Sequence, residues 1–196
     1  MERRLDPAQL FVLAASSGPR TVVLDGFLGA ARARAAGALR PARMGRAEAA
    51  WSSALVRGDR LAWLPSAPLC HGLPQSIRHA LGALERLRDD LRERAPGLGL
   101  GMRISVQLAC YPGGGEGYVR HVDTFRGGRA AGATAGATKS IRKITALYYL
   151  NPDWCEDHGG KLRAYYHDNP RTPTTGSAGE AAELHWDIAP LSDRLV

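Results

Sequence analysis

Two residues of metal-binding type stand two positions apart, at His121 and Asp123, at the end of the run Tyr111-Pro-Gly-Gly-Gly-Glu-Gly-Tyr118-Val-Arg-His121. On an extended strand, residues i and i+2 share a face with their Cα atoms about 7 Å apart. An imidazole and a carboxylate spaced this way can converge on one small cation. A nitrogen and an oxygen donor together suit a borderline metal such as Fe(II), and His-x-Asp is two thirds of a 2-His-1-carboxylate facial set. The pattern alone is not specific, because His185-Trp186-Asp187 repeats it. Context singles out the first copy. Tyr111 closes an apolar run, Pro112 to Gly117 reads as a tight turn, and Tyr118 leads back to His121. Such a hairpin delivers two phenols and two ligands to one place. Leu147-Tyr148-Tyr149-Leu150-Asn151 adds a second apolar strand with phenols.

Other elements must hold these residues. Asp6 to Ser16 reads as a short helix, Thr21 to Leu24 as a strand, and the alanine-rich stretch after Gly26-Phe-Leu-Gly29 as a helix reaching about Leu39. Arg57 to Arg60 is a turn feeding a strand over Leu61 to Leu64. Leu73 to Arg94 gives the clearest helix. Ile77, Leu81, Leu84, Leu87 and Leu91 make one apolar stripe, expected to lie flat on a sheet, and Pro96-Gly97 ends it. From Met102 the period changes. Met102 to Tyr111, Tyr118 to Asp123, Ile141 to Leu150, Lys161 to Tyr166, Leu184 to Ile188 and Arg194 onward read as strands between Gly- and Pro-rich turns. Gly127 to Thr138 reads as a low-complexity loop beside the site, and Asp168 to Ala182 as a second polar loop. Helices followed by a run of strands predict an α+β domain. Its natural architecture is a double-stranded β-helix, or jelly roll, buttressed by N-terminal helices. Residues 1–100 form the support region and 101–196 the core, together one domain.

Composition narrows the class. A chain of 196 residues suits one domain with a real core. It contains no apolar run of membrane-spanning length and no signal pattern at its start. Its three cysteines, Cys70, Cys110 and Cys155, are scattered and odd in number. That argues for a reducing, intracellular compartment, cytoplasmic or nuclear. The net charge of +7 invites a nucleic-acid reading. The cations are nearly all arginine, however, and are spread along the chain apart from Arg32, Arg34, Arg40, Arg43 and Arg46 on a predicted helical stretch. A solvated basic face explains them better.

Several stretches in order resemble the oxygen-sensing, hypoxia-inducible-factor type of prolyl hydroxylase, within the Fe(II)/2-oxoglutarate-dependent dioxygenases of the prolyl 4-hydroxylase family. They are Val22-Val-Leu-Asp25-Gly-Phe-Leu-Gly29, Val56-Arg-Gly-Asp59-Arg-Leu-Ala-Trp63, Cys110-Tyr-Pro-Gly113 with Tyr118-Val-Arg-His121-Val-Asp123, Tyr148-Tyr-Leu-Asn151-Pro-Asp-Trp154, Gly159-Gly-Lys-Leu162-Arg163 and Asp187-Ile-Ala-Pro190 with Asp193-Arg-Leu195. The resemblance implies that His121 and Asp123 are two iron ligands. It also implies that Tyr149 hydrogen-bonds the distal carboxylate of 2-oxoglutarate, that Tyr111 lines its pocket, and that Leu162 forms its apolar wall. It further implies Fe(II), 2-oxoglutarate, O2 and L-ascorbate as cofactors or cosubstrates, and a protein or peptide with a target proline as substrate. The composition of the Gly127 to Thr138 loop departs from the family's, which leaves the substrate open.

The resemblance also sets a contrary expectation. In that family the third iron ligand, a histidine, and the arginine that pairs with the ketoacid lie beyond the segment matched by Asp193-Arg-Leu-Val196, so the jelly roll read here lacks its last strands. His158, His167 and His185 read as packed or exposed histidines rather than as substitutes. The sequence as written is therefore expected to be an incomplete record of an active dioxygenase. The alternative is a catalytically inactive relative serving as a protein- or peptide-binding scaffold.

Overall fold

The computed structural model describes residues 4–14, 20–38, 45–46, 58–64, 72–121, 123, 142–166 and 184–196. Helix α1 (Pro7–Ala14) opens with a reciprocal cap. Gln9 N donates to Asp6 Oδ1 at 2.8 Å, and Asp6 N donates to Gln9 Oε1 at 3.0 Å. Pro7 sits at the first helical position, where a missing N–H costs nothing. Strand β1 (Leu24–Asp25) leads through Gly26-Phe-Leu-Gly29 into helix α2 (Ala30–Gly37). Helix α3 (Gln75–Arg94) spans 20 residues, and its last turn carries Arg92 and Arg94 against the helix dipole. It ends in a short 3-10 turn at Pro96–Leu98.

The strands form three small antiparallel sheets. Strands β2 (Gly45–Arg46), β3 (Arg60–Leu64) and β4 (Val106–Cys110) make the first, with Leu64 opposite Val106. Strands β5 (Leu162–Tyr166) and β6 (Leu184–Ile188) make a two-stranded ribbon. Strand β7 (Arg194–Leu195) pairs with β1, Leu24 opposite Leu195. Its other edge takes residues 147–149. Leu147 N donates to Val196 O at 2.8 Å, Val196 N to Leu147 O at 2.9 Å, and Tyr149 N to Arg194 O at 2.9 Å. Helices beside small antiparallel sheets agree with the α+β expectation.

The stripe on α3 is used as its spacing predicts, but its target differs. Ile77 and Leu81 bury with Ala36 of α2 against Leu64, Val106 and Leu150. Farther along, Ala80, Ala83 and Leu91 join a second cluster with Leu5, Leu10, Leu24, Phe27, Leu28 and Leu195, flanked by Leu84, Leu87, Ile144 and Tyr148. One end of α3 thus faces a sheet and the rest faces α1, the β1 loop and β7. The approach to α2 is close: a Cβ on Gly37 would lie 2.5 Å from Leu150 O.

Asp193 ties the first strand to the last. It is buried, 6% exposed, and adopts a left-handed φ of 65°. Its backbone oxygen accepts from Phe27 N at 3.1 Å. Its carboxylate accepts from Leu28 N at 2.7 Å, Gly29 N at 2.8 Å and the Tyr148 hydroxyl at 2.9 Å. Burial, and then that bond to the Asp193 carboxylate, hold the Tyr148 hydroxyl firmly protonated. The Tyr148 ring meets Phe27 edge-on at 5.6 Å.

Three sequence expectations change. Tyr118 to Asp123 does not form a regular strand in its described residues, and of Ile141 to Leu150 the described residues 142–150 form no regular strand, with backbone pairing at residues 147–149. Arg46 lies on β2 rather than on a helix, since α2 stops at Gly37. The two predicted loops lie outside the described residues. Among the described residues, no helix is long and apolar enough to cross a membrane.

Candidate metal centre

The segment that carries His121 leaves β4 through Gly113, Gly114 and Gly115, whose φ values are 94°, 72° and 86°. Three successive positive φ angles are inexpensive only for glycine. Gly58 N, just before β3, donates to Gly117 O at 3.0 Å and fixes where the turn ends. The described residues beyond the turn form no regular strand, and side-chain contacts help to position residues 118–121. Tyr118 stacks on the His121 ring, with centroids 3.8 Å apart and planes at 20°. The Arg120 guanidinium sits 4.0 Å over the Tyr165 ring of β5, a cation–π contact that joins this segment to the ribbon.

The geometry of the pair is specific. His121 Nδ1 lies 2.8 Å from Val119 O. A carbonyl only accepts, so Nδ1 carries the proton and Nε2 of the neutral ring carries a lone pair. Nε2 in turn faces Asp123 Oδ1 at 3.5 Å. Two electron-pair donors at this distance can share a proton or a cation between them. Two ligands each about 2.1 Å from one first-row divalent ion can stand up to about 4.2 Å apart. An imidazole nitrogen and a carboxylate oxygen at this separation therefore fit an Fe(II)-type ion. The carboxylate is held ionised. Burial opposes its charge, but the Thr145 hydroxyl, which donates to Oδ2 at 2.5 Å, and Arg142, at 2.9 Å from Oδ1, outweigh it. The Asp123 carboxyl consequently titrates below the usual carboxylate value.

Tyr149 is the next of the residues singled out by sequence. It is half-buried beside β7, where Arg194 makes a bidentate pair with Asp25 at 2.6 and 2.9 Å. Burial, then the neighbouring Tyr111, push its phenol up to about 12 against the opposing charge of Arg194. Such a phenol stays protonated and can donate a hydrogen bond to an anion. The structure thus brings His121 to Asp123 and Tyr111 to Tyr149. Leu162 stands half-buried on β5, opposite Ile188.

Thr145 and Arg142 carried no signal in motif terms, although Thr145 was reachable by alternation. Ile144 and Tyr148 face the core, so Thr145 and Tyr149 fall on the opposite, site-facing side of the same extended segment. Among the histidines set aside, His185 pairs with Tyr165 across the ribbon. His158 Nδ1 accepts from Cys155 N at 3.4 Å, and His167 lies outside the described residues. Among the described residues, no group of three or more His, Cys, Asp or Glu side chains is placed to hold a metal ion.

Comparison with known proteins gives the class. Residues 106–196 match the family model of the 2OG-Fe(II) oxygenase superfamily. Within that class the similarity is to prolyl hydroxylases. The chain is 31% identical over 161 residues to prolyl hydroxylase EGLN3 of Rattus norvegicus, covering 82% of this chain and 56% of that one. It is 36% identical over 151 residues to Egl nine homolog 1 of Homo sapiens, covering 74% of this chain and 28% of that one. It therefore spans about half the length of the first relative and less of the second. Among solved structures, a Pseudomonas putida prolyl-4-hydroxylase superposes with a TM-score of 0.61 at 23% identity, over 89% of this chain and 77% of that one, a likeness of fold. A Trichoplax adhaerens prolyl hydroxylase in complex with a hypoxia-inducible-factor oxygen degradation domain peptide gives 0.54 at 25% identity, over 89% and 70%.

Proposed function

We propose that this protein is an Fe(II)- and 2-oxoglutarate-dependent dioxygenase that hydroxylates a prolyl residue of a protein or peptide. The observation that carries the reading is the facing of His121 Nε2 and Asp123 Oδ1, with the ring tautomer fixed by Val119 O, inside a 2OG-Fe(II) oxygenase domain. His121 and Asp123 hold the metal. Tyr149, kept protonated, donates to a carboxylate of 2-oxoglutarate. Tyr111 lines the same pocket, and Leu162 supplies an apolar wall. When bound, iron would activate O2, the oxidant, which takes two electrons from 2-oxoglutarate as it passes to succinate and carbon dioxide and two from the substrate C–H bond, one oxygen atom entering succinate and the other the hydroxyl. The chain's residues do the rest: they fix the imidazole, keep the carboxylate charged and hold the phenol proton.

A jelly-roll core from residue 101 onward, with residues 1–100 as its support, belongs to this proposal. So do ascorbate as reductant and an intracellular setting. A peptide substrate is supported by the peptide-bound relative. The test is succinate release by the purified protein with Fe(II), 2-oxoglutarate and a proline-containing peptide, followed by NMR, against His121→Ala and Asp123→Ala. Iron-dependent release abolished by either substitution supports the reading. Release indifferent to both would remove it.

A further inference from the structure

Asp123 receives two neighbours on different oxygens. Thr145 Oγ1 donates to Oδ2. Arg142 Nη1 lies 2.9 Å from Oδ1, the same oxygen that faces His121 Nε2 across 3.5 Å. The consequences for a metal ion differ in sign. The threonine bond stops the carboxylate from rotating and keeps Oδ1 turned to the imidazole, so its loss costs order at the moment of metal binding. The guanidinium is already a cation on the oxygen that a metal would take. A divalent ion about 2.1 Å from Oδ1 would lie no more than about 5 Å from that nitrogen. This is inside the screening length of about 8 Å at physiological salt, and like charges so close repel. The side chains of Arg142 and Asp123 are 46% and 32% exposed, so water tempers the repulsion without removing it.

We propose that Thr145 and Arg142 set the metal affinity of the His121–Asp123 pair in opposite directions, Thr145 as a positioning residue that raises it and Arg142 as a resident cation that lowers it. The proposal rests on the reading of that pair as metal ligands. It makes Arg142 a competitor of the metal, which must share or displace its hold on Oδ1. A purely structural ion pair would act the other way: removing the arginine would loosen Asp123 and weaken binding.

The experiment is a titration of the purified protein with Mn(II), a redox-stable stand-in, following loss of the free-ion electron paramagnetic resonance signal. Arg142→Gln, and Arg142→Met, which keeps the aliphatic stem, should tighten binding at least about fivefold, the size of a charge effect near a surface. Arg142→Lys should stay near wild type. Thr145→Val should weaken binding at least about fivefold, and Thr145→Ser should restore it. Thermal melts show which variants are folded. Weaker or unchanged binding in both neutral Arg142 variants overturns the role given to Arg142, and unchanged binding in Thr145→Val overturns that of Thr145. Wild-type binding equal to that of His121→Ala overturns the metal site itself, and this inference with it.

Discussion

Helix α3 and the segment from Tyr111 to His121 solve opposite problems. Along α3 the side chains of Ile77, Ala80, Leu81, Ala83 and Leu91 are buried, each supported by several apolar neighbours from other elements. From Tyr111 to His121 every residue is exposed, and position is set by a few contacts that can be named: the Gly58–Gly117 hydrogen bond, the Tyr118–His121 stack and the seat of Arg120 on Tyr165. Stability and chemistry are therefore lodged in different places. Redundant packing tolerates small errors, whereas a short set of polar tethers does not. A damaged tether should harm the site and leave the fold intact.

That contrast can be broken or sharpened by substitution. The largest effect is expected at Asp193→Ala, which orphans Leu28 N, Gly29 N and the Tyr148 hydroxyl in a buried place. It should cost about 3–5 kcal/mol in urea or guanidinium unfolding. Leu81→Ala should cost about 2–4 kcal/mol by opening a cavity between α3 and α2. Gly37→Ala should cost about 1–3 kcal/mol, because the added methyl meets the Leu150 carbonyl. At the other extreme, His121→Ala should change stability by less than about 0.5 kcal/mol while abolishing metal binding. A large loss of stability there would mean that the segment supports the fold after all.

The smallest effect is one of pH. Because the folded Asp123 carboxyl lies below its ordinary value of 3.8, its contribution to stability is present above that value and fades as the pH falls through the folded value. The stability difference between wild type and Asp123→Asn should therefore shrink on acidification below about pH 4. A difference that stays constant down to pH 2 would show that Thr145 and Arg142 do not hold the carboxylate in solution.

The support elements were legible where a single physical rule governs them. The 3.6-residue stripe from Ile77 to Leu91 gave α3 to within two residues of its observed start, and alternation gave β5 and β6. What α3 rests on was not legible, because a stripe records that a face is buried and not what buries it. The extended nature of Tyr118 to Asp123 was overread for a related cause. The described residues form no regular strand there, and side-chain stacking helps to set the geometry. Even so, His121 and Asp123 meet. Arg142 escaped notice because a long flexible side chain can reach Asp123 from a position that no spacing rule marks. How the small sheets are arranged was not legible, since sheets of two or three strands carry little pattern of their own.

The carboxylate of Asp193 closes a loop of 165 residues onto Leu28, and this has a consequence in time. At synthesis rates of about 5–20 residues per second, roughly ten to thirty seconds separate the appearance of Leu28 from that of its partner. Over that interval Leu24, Phe27 and Leu28, all nearly fully buried at the end, have neither β7 to pair with nor Asp193 to anchor them. Helix α3 is complete within this interval and can shelter part of that surface, but the β1 edge that pairs with β7 stays open until β7 arrives. The nascent chain thus carries uncovered apolar surface near its start well after α1 and α2 have been synthesised.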